Sequence, residues 1–202
     1  MSAPPLTVLS VSPEEEAAIR AAVQAVNDRV LAGPEHVEGL LALLSDPRVS
    51  DPIYDLPRPF TRESIALWVE ESRQAKERGE RILSVTLDEA GQVAGYSCIS
   101  VWPDRSAAEI AGAARFDRQN TGRGRGGVDN AAAFMFETLG VRLIGLTAAL
   151  DNLRSIRAID GAGFVRMGER ESVRPDGTVR RSAYWELTRE EWRARREVGG
   201  RS

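Results

Sequence analysis

Gln119-Asn120-Thr121-Gly122-Arg123-Gly124-Arg125-Gly126-Gly127 stands immediately before an amphipathic run, Val128–Leu139. A glycine-rich turn that feeds a helix leaves the first backbone N–H groups without intrahelical partners, and the aligned peptide dipoles add partial positive charge there. Glycines remove the side chains that would hold an anion away, and Arg123 and Arg125 add full charges. Such a loop is a ready phosphate site. The sequence therefore asks which phosphorylated molecule it takes.

Three loops of this kind differ in what surrounds them. The nucleoside-triphosphate loop needs G-K-[ST] at the helix start, but Val128 follows Gly127 and the single lysine of the chain is Lys76. The dinucleotide pattern G-x-G-x-x-G is present as Gly122, Gly124 and Gly127, with an acid, Asp151, beyond the next apolar run. That pattern belongs directly after a hydrophobic strand. Here the approach, Arg115-Phe-Asp-Arg-Gln-Asn-Thr121, is polar, and no further strand–helix units come after residue 165. A dinucleotide-binding protein is thus the lesser alternative.

The third loop is Q/R-x-x-G-x-G/A, and Gln119, Gly122 and Gly124 fit it. It resembles the pyrophosphate loop of the GNAT superfamily of N-acetyltransferases. The order of elements after the loop is similar too: a helix over Val128–Leu139, a strand over Arg142–Thr147, then Asn152 and Ser155 ahead of Gly163-Phe164. The tail from Arg174 to Trp192 looks like the closing hairpin of the branch that acetylates ribosomal-protein N-termini, and the stretch from Leu44 to Thr61 is similar to that branch as well. The resemblance spans roughly residues 6–192. It implies a mixed α/β fold with a central sheet of about seven strands flanked by helices and splayed at an acetyl-CoA site. It implies acetyl transfer from acetyl-CoA to a primary amine, either a protein α-amine or a small amine. A catalytically idle module that binds acyl-CoA is the alternative.

Composition sets limits. One domain over 1–202 is expected from 202 residues, large enough for a real core. A net charge of −3 gives no basis for nucleic-acid binding. No segment approaches the roughly 18 apolar residues of a membrane span, and no basic-then-apolar signal opens the chain. One cysteine, Cys98, excludes an internal disulfide and fits a reducing cytoplasm. His36 is the one histidine, and without a second His or a cysteine cluster there is no case for a metal site.

Periodicity supplies the elements. Leu6–Ser10 reads as a first strand. Ser12, Pro13 and Glu15 read as a capping box opening a helix with the stripe Ile19, Val23, Val26 and Val30, ended by Gly33-Pro34. A short helix is marked by Val37, Leu40, Leu41 and Leu44. Asp46–Pro59 holds four of the ten prolines and reads as an ordered loop. Thr61–Arg78 is a helix with Ile65, Trp68, Val69 and Ser72 on one face. Strands follow over Ile82–Leu87, Gln92–Trp102 and Ala107–Arg115. The hairpin near the end turns at Pro175-Asp-Gly177, a short helix follows Thr188, and residues 197–202 are expected to fray. An exposed C-terminal strand and helix make a homodimer an expectation.

Acyl transfer fixes what the site must contain. The amine must lose a proton, the developing oxyanion needs a donor, and the leaving thiolate needs a proton. A lysine amine, with a pKa near about 10.4, needs more help than an α-amine at roughly 7.7–8.0. The resemblance assigns Gln119, Asn120, Thr121, Gly122, Arg123, Gly124, Arg125, Gly126 and Gly127 to the pyrophosphate, and Asn152 and Ser155 to the groove of the pantetheine arm. Asn152 also reads as a plain helix cap. Glu109, on the strand before the loop, falls where members of the family often keep a general base, and a solvated strand carboxylate is the plain alternative. Ser155 is a candidate proton donor or water anchor one turn on from the cap. Many members place a tyrosine four residues after that serine; here the position is Ile159, so a tyrosine acid is not expected. Glu169 and Glu171 are candidates to hold a catalytic water. Tyr54, Phe60 and Trp68 either border the acceptor groove or belong to the core. Cys98 reads as a buried structural thiol.

Overall fold

The computed structural model describes residues 3–53, 55–119, 124–173 and 177–199. Among them, six strands form one mixed sheet: β1 (Arg81–Leu87), β2 (Val93–Trp102), β3 (Ala107–Ala114), β4 (Leu143–Ala149), β5 (Val165–Val173) and β6 (Val179–Thr188). Their order across the sheet is β1-β2-β3-β4-β6-β5. β1, β2 and β3 make an antiparallel meander, β4 joins β3 in parallel, and β6 pairs antiparallel with both β4 and β5. The expected α/β class with an open, flanked sheet is what the chain adopts. Its helices are α1 (Pro13–Ala25), α2 (Val37–Leu44), α3 (Pro47–Ser50), α4 (Arg62–Glu77), α5 (Gly124–Ala133), α6 (Leu153–Gly161) and α7 (Arg189–Gly199).

Alternation along the strands sends side chains to two faces. One face carries Ile99, Ala108, Ile144, Leu146 and Trp185 against residues of α1, α6 and α7 and the turns after α5. The other carries Leu83, Val85 and Tyr96 against α2 and α4. Trp185 is fully buried, and its indole N–H donates to Asp160 of α6 at 2.8 Å. Truncating such a residue costs about 3–5 kcal/mol. α5 widens into a π-type turn over Phe134–Thr138, which sets Met135 and Phe136 into the core beside Trp192.

Several expectations are corrected. Leu6–Ser10 forms no strand: the Leu6 and Thr7 N–H groups donate to the Tyr184 hydroxyl and the Glu186 carboxylate, both at 3.0 Å, so side chains replace a ladder. The sheet has six strands among the described residues, not about seven. The helix that Ser12 caps ends at Ala25, well before Gly33, because Val26 is already extended. Residues 30–32 then run beside β1, with Val85 N–H donating to Val30 and Ala32 N–H to Leu83, each at 2.9 Å. Val30 is consequently exposed. Ser12 accepts from Glu15 N–H at 3.2 Å, but Glu15 does not close the reciprocal cap. Its carboxylate accepts instead from Arg142 at 2.7 Å. The proline-rich stretch holds one helical turn, α3, capped by Asp46. The residues Pro175 and Asp176 of the hairpin turn, and residues 200–202 of the tail, lie outside the described residues.

Two left-handed glycines separate conformational from steric need. Gly79 has φ +74°, and a Cβ there would stand 2.6 Å from the Arg20 Cα. Gly91 has φ +73° and open space around it. Both alanine variants bear the cost of a positive φ, of order 1–3 kcal/mol, but only Gly79→Ala must also move a helix backbone. Thermal unfolding should therefore place Gly79→Ala clearly below Gly91→Ala. Equal melting temperatures would show that the α1–α4 contact yields freely.

Candidate active site

The parallel pairing of β3 with β4 lasts for two residue pairs, Ala107 with Leu143 and Ala108 with Ile144. Beyond them the strands part, although β3 stays paired to β2 along its whole length and β4 to β6. The backbone groups facing the gap have no ladder partner across it. A cavity of about 140 Å³ occupies this wedge. Glu109, the first residue past the last pair, is one of its walls and is only 7% exposed.

Glu109 is held in place from across the gap. The Thr147 hydroxyl on β4 donates to its carboxylate at 3.0 Å. The far rim is the start of α6, where the Asn152 side chain accepts from Ser155 N–H at 3.2 Å. The cap reading of Asn152 therefore holds, and its side chain and that of Ser155 both border the wedge. Gln119 closes the rim from the β3 side: its amide donates to the Ala114 carbonyl at 2.7 Å and accepts from Arg154.

The structure thus brings Glu109, Gln119, Asn152 and Ser155 to one cavity. Asn120, Thr121, Gly122 and Arg123 lie outside the described residues, as does Tyr54. Gly124, Arg125, Gly126 and Gly127 form the opening of α5. A Cβ built on Gly126 or Gly127 meets nothing within 4 Å, so the fold itself does not require glycine there.

Other candidates fall elsewhere. Glu169 and Glu171 lie on β5, the outermost strand beyond β6, and Glu169 pairs with Arg181. They do not reach the wedge. Ile159 is buried in the core behind it. Phe60 lies under the Arg58 guanidinium, 4.6 Å from its ring centroid, while Trp68 is both core and cavity wall. His36 accepts from Gly33 N–H at 3.0 Å, remote from the loop in sequence and absent from the wedge.

Three residues of the site escaped sequence reasoning: Asp55, Thr147 and Arg154, all of which line the wedge. Arg154 did leave a signal. A cation in the first turn of a helix opposes the dipole, and α6 has no acid there to offset it. Such a placement invites an anion nearby.

Fold and site together define a mixed sheet that parts at a buried carboxylate beneath a helix start. Residues 30–165 match the sequence profile described as the acetyltransferase (GNAT) domain. That is more than half of the 202 residues, and the chain belongs to this family of acetyltransferases. Among solved structures it is similar to a ribosomal-protein-S5-alanine acetyltransferase from Vibrio fischeri, with 16% identity, 80% of this chain and 92% of that one covered, and a TM-score of 0.67. It is also similar to a variant of the spermidine N-acetyltransferase of Vibrio cholerae, with 17% identity, 80% and 95% covered, and a TM-score of 0.63. At these identities the likeness is one of fold. No curated protein matches the sequence.

Cys98 lies on β2, half-buried on the wall of a neighbouring cavity. Burial pushes its thiol up to about 12, against the opposing pull of Arg81. Because the thiolate is the nucleophile, iodoacetamide at pH 8 should label Cys98 slowly in the native protein and rapidly in denaturant, as read by intact mass. Fast native labelling would contradict the structural reading of this thiol.

Proposed function

We propose that the protein is an acetyl-CoA-dependent N-acetyltransferase acting on a primary amine, with a protein N-terminal α-amine favoured over a small-molecule amine. The observation that carries this reading is Glu109, a buried carboxylate at the apex of the parted strands, facing the Asn152–Ser155 helix start and the base of the Gln119 loop. The likeness of fold extends equally to an S5-alanine and to a spermidine acetyltransferase, so the preference for an α-amine rests on its lower pKa.

The residues present suit the co-substrate. Unpaired backbone groups on β3 and β4 offer an extended amide chain the ladder they lack across the gap. The glycine-rich first turn of α5, from Gly124 to Gly127, offers N–H groups and dipole charge to a pyrophosphate, and Arg154 adds a guanidinium at the rim. Bound acetyl-CoA supplies the activated acetyl thioester.

The chain's own side chains do the rest. Glu109 accepts the proton of the incoming ammonium, directly or through one water, with Thr147 fixing the carboxylate. Ser155, on the opposite rim, relays the second proton: its hydroxyl donates to the sulfur as the C–S bond breaks and regains a proton from the nitrogen of the tetrahedral intermediate, while its backbone N–H bonds Asn152. An α-amine near pKa 7.7–8.0 is substantially neutral at the working pH, so a single carboxylate is adequate for it.

Binding and turnover test the reading separately. Acetyl-CoA at 100 times its Kd should stabilise the protein by about 2.7 kcal/mol, since a ligand of the folded state raises stability by mass action. NAD and ATP should give no comparable thermal shift. A matching shift with NAD would restore the dinucleotide reading. A shift with acetyl-CoA but no thiol release across an amine panel would leave an idle binding module.

Base and acid separate in mutant kinetics. Glu109→Gln should lower kcat/KM by about 10²–10⁴ for a lysine-like amine, and by less for an α-amine. Ser155→Ala should lower kcat with little change in acetyl-CoA affinity, as expected for an interaction made in the transition state. Thr147→Val removes the hydroxyl that fixes the Glu109 carboxylate, so kcat/KM should fall for both acceptors while acetyl-CoA affinity is kept. Profiles measured from pH 6 to 9 with two acceptors decide. A Glu109→Gln enzyme with an unaltered profile removes the base assignment.

A further inference from the structure

A second cavity, of about 310 Å³, lies beside the first, under α4 and against β1 and β2. Asp55 and Ala111 border both, so the two adjoin. Two side chains on its wall carry hydrogen-bond capacity that the fold leaves unused. Among the described residues the buried Tyr96 hydroxyl has no hydrogen-bond partner. Its ring is fixed edge-on to Trp68 with centroids 5.5 Å apart, so it cannot swing out to water. The Arg81 guanidinium is half-buried, and among the described residues its one hydrogen bond is a long 3.5 Å contact with the Ser72 hydroxyl. Glu71 lines the same cavity without forming an ion pair with it. Other arginines of this chain find carboxylates, as Arg20, Arg115 and Arg142 do.

Register sets these groups relative to the wedge. Arg81 lies directly opposite Ser100, and Ser100 directly opposite Glu109, so the three form one row across three strands on one face. Adjacent strands are about 4.8 Å apart, which puts the Arg81 and Glu109 backbones roughly 10 Å from each other with both side chains rising on the same side. Tyr96 is four residues from Ser100 along β2, roughly 13 Å further down the cavity. An amine delivered to Glu109 would thus present its next few bonds to Arg81 and anything longer to Tyr96.

A guanidinium fork matches a carboxylate better than any neutral group. On the acetyltransferase reading above, we propose that the acceptor is an amine carrying a carboxylate a few bonds away, held by Arg81, and that Tyr96 hydrogen-bonds the part of a longer acceptor beyond it. A free acidic amino acid and a polypeptide beginning with Asp or Glu share this chemistry. The distance to Tyr96 separates them, because only the polypeptide reaches it.

The test is steady-state thiol release with acetyl-CoA and four acceptors: free aspartate, and three peptides that differ only in a first residue of Asp, Asn or Ala. The Asp peptide should exceed its Asn counterpart in kcat/KM by about tenfold or more, as a charge-assisted hydrogen bond provides. This comparison needs no variant. Arg81→Gln should bring the ratio near one by raising KM for the Asp peptide alone, Arg81→Lys should restore part of it, and both should keep the acetyl-CoA thermal shift. Tyr96→Phe should raise KM for the peptide and not for free aspartate. Equal rates for the Asp and Asn peptides, or a ratio that survives Arg81→Gln, overturns the proposal while the transferase reading stands. Tyr96→Phe acting equally on free aspartate overturns the role of Tyr96. No thiol release with any amine overturns the transferase reading and this proposal together.

Discussion

The parting of β3 from β4 is the constraint on which the site depends. A parallel pair normally continues until one strand ends, because each further residue satisfies backbone groups that would otherwise need water. Here the ladder stops after Ala108 and Ile144. The sheet tolerates the break because each strand keeps its other edge: β3 is paired to β2 over eight residues and β4 to β6 over seven. Two half-sheets therefore hold their own shape on either side of the gap, and Glu109 with Thr147 ties them just above the point of separation. The consequence is a wedge with backbone donors and acceptors on both walls and one buried carboxylate at its apex.

A second polar cluster closes the sheet on the same face. Tyr184 lies directly across from Thr147, and Glu186 across from Gly145. Glu186 accepts from Tyr184 and from both the N–H and the hydroxyl of Thr7. Burial works against its charge, but these hydrogen bonds outweigh burial and hold its carboxyl below the usual range. Burial, followed by the Glu186 hydrogen bond, raises the Tyr184 hydroxyl. The segment that reads as a first strand is thus spent as a strap over β6. Glu186 is committed to holding it, which leaves Glu109 as the carboxylate of this face that borders the wedge.

How far each part could be read in the sequence depends on how it is built. Helices α4 and α6 announce themselves because their signals are local: Thr61 and Asn152 cap within three residues, and Ile65, Trp68, Val69 and Ser72 of α4 bury together. The first segment misled because Leu6 and Val8 alternate with Thr7 as in a strand, yet both apolar side chains are exposed and the polar one turns inward. Only a tertiary partner, Glu186, decides that. The early end of α1 has the same origin. Val26 is buried as the stripe requires, but the free edge of β1 draws residues 30–32 into extended pairing that no helical period foretells.

The two halves of the site differ in the same way. On the proposed reading the coenzyme side draws on a glycine run, a cap and a helix start that lie close together in sequence, so its signature survives in linear order. The acceptor side proposed above draws on side chains from β1, β2 and β3, which meet only through strand register. Nothing near Arg81 in the sequence suggests that it shares a row with Glu109, 28 positions away, since that row exists only after two antiparallel pairings. The common chemistry is therefore written where folding need not be known. On the proposal above, the choice of amine rests on Arg81 and Tyr96, whose neighbours strand register supplies.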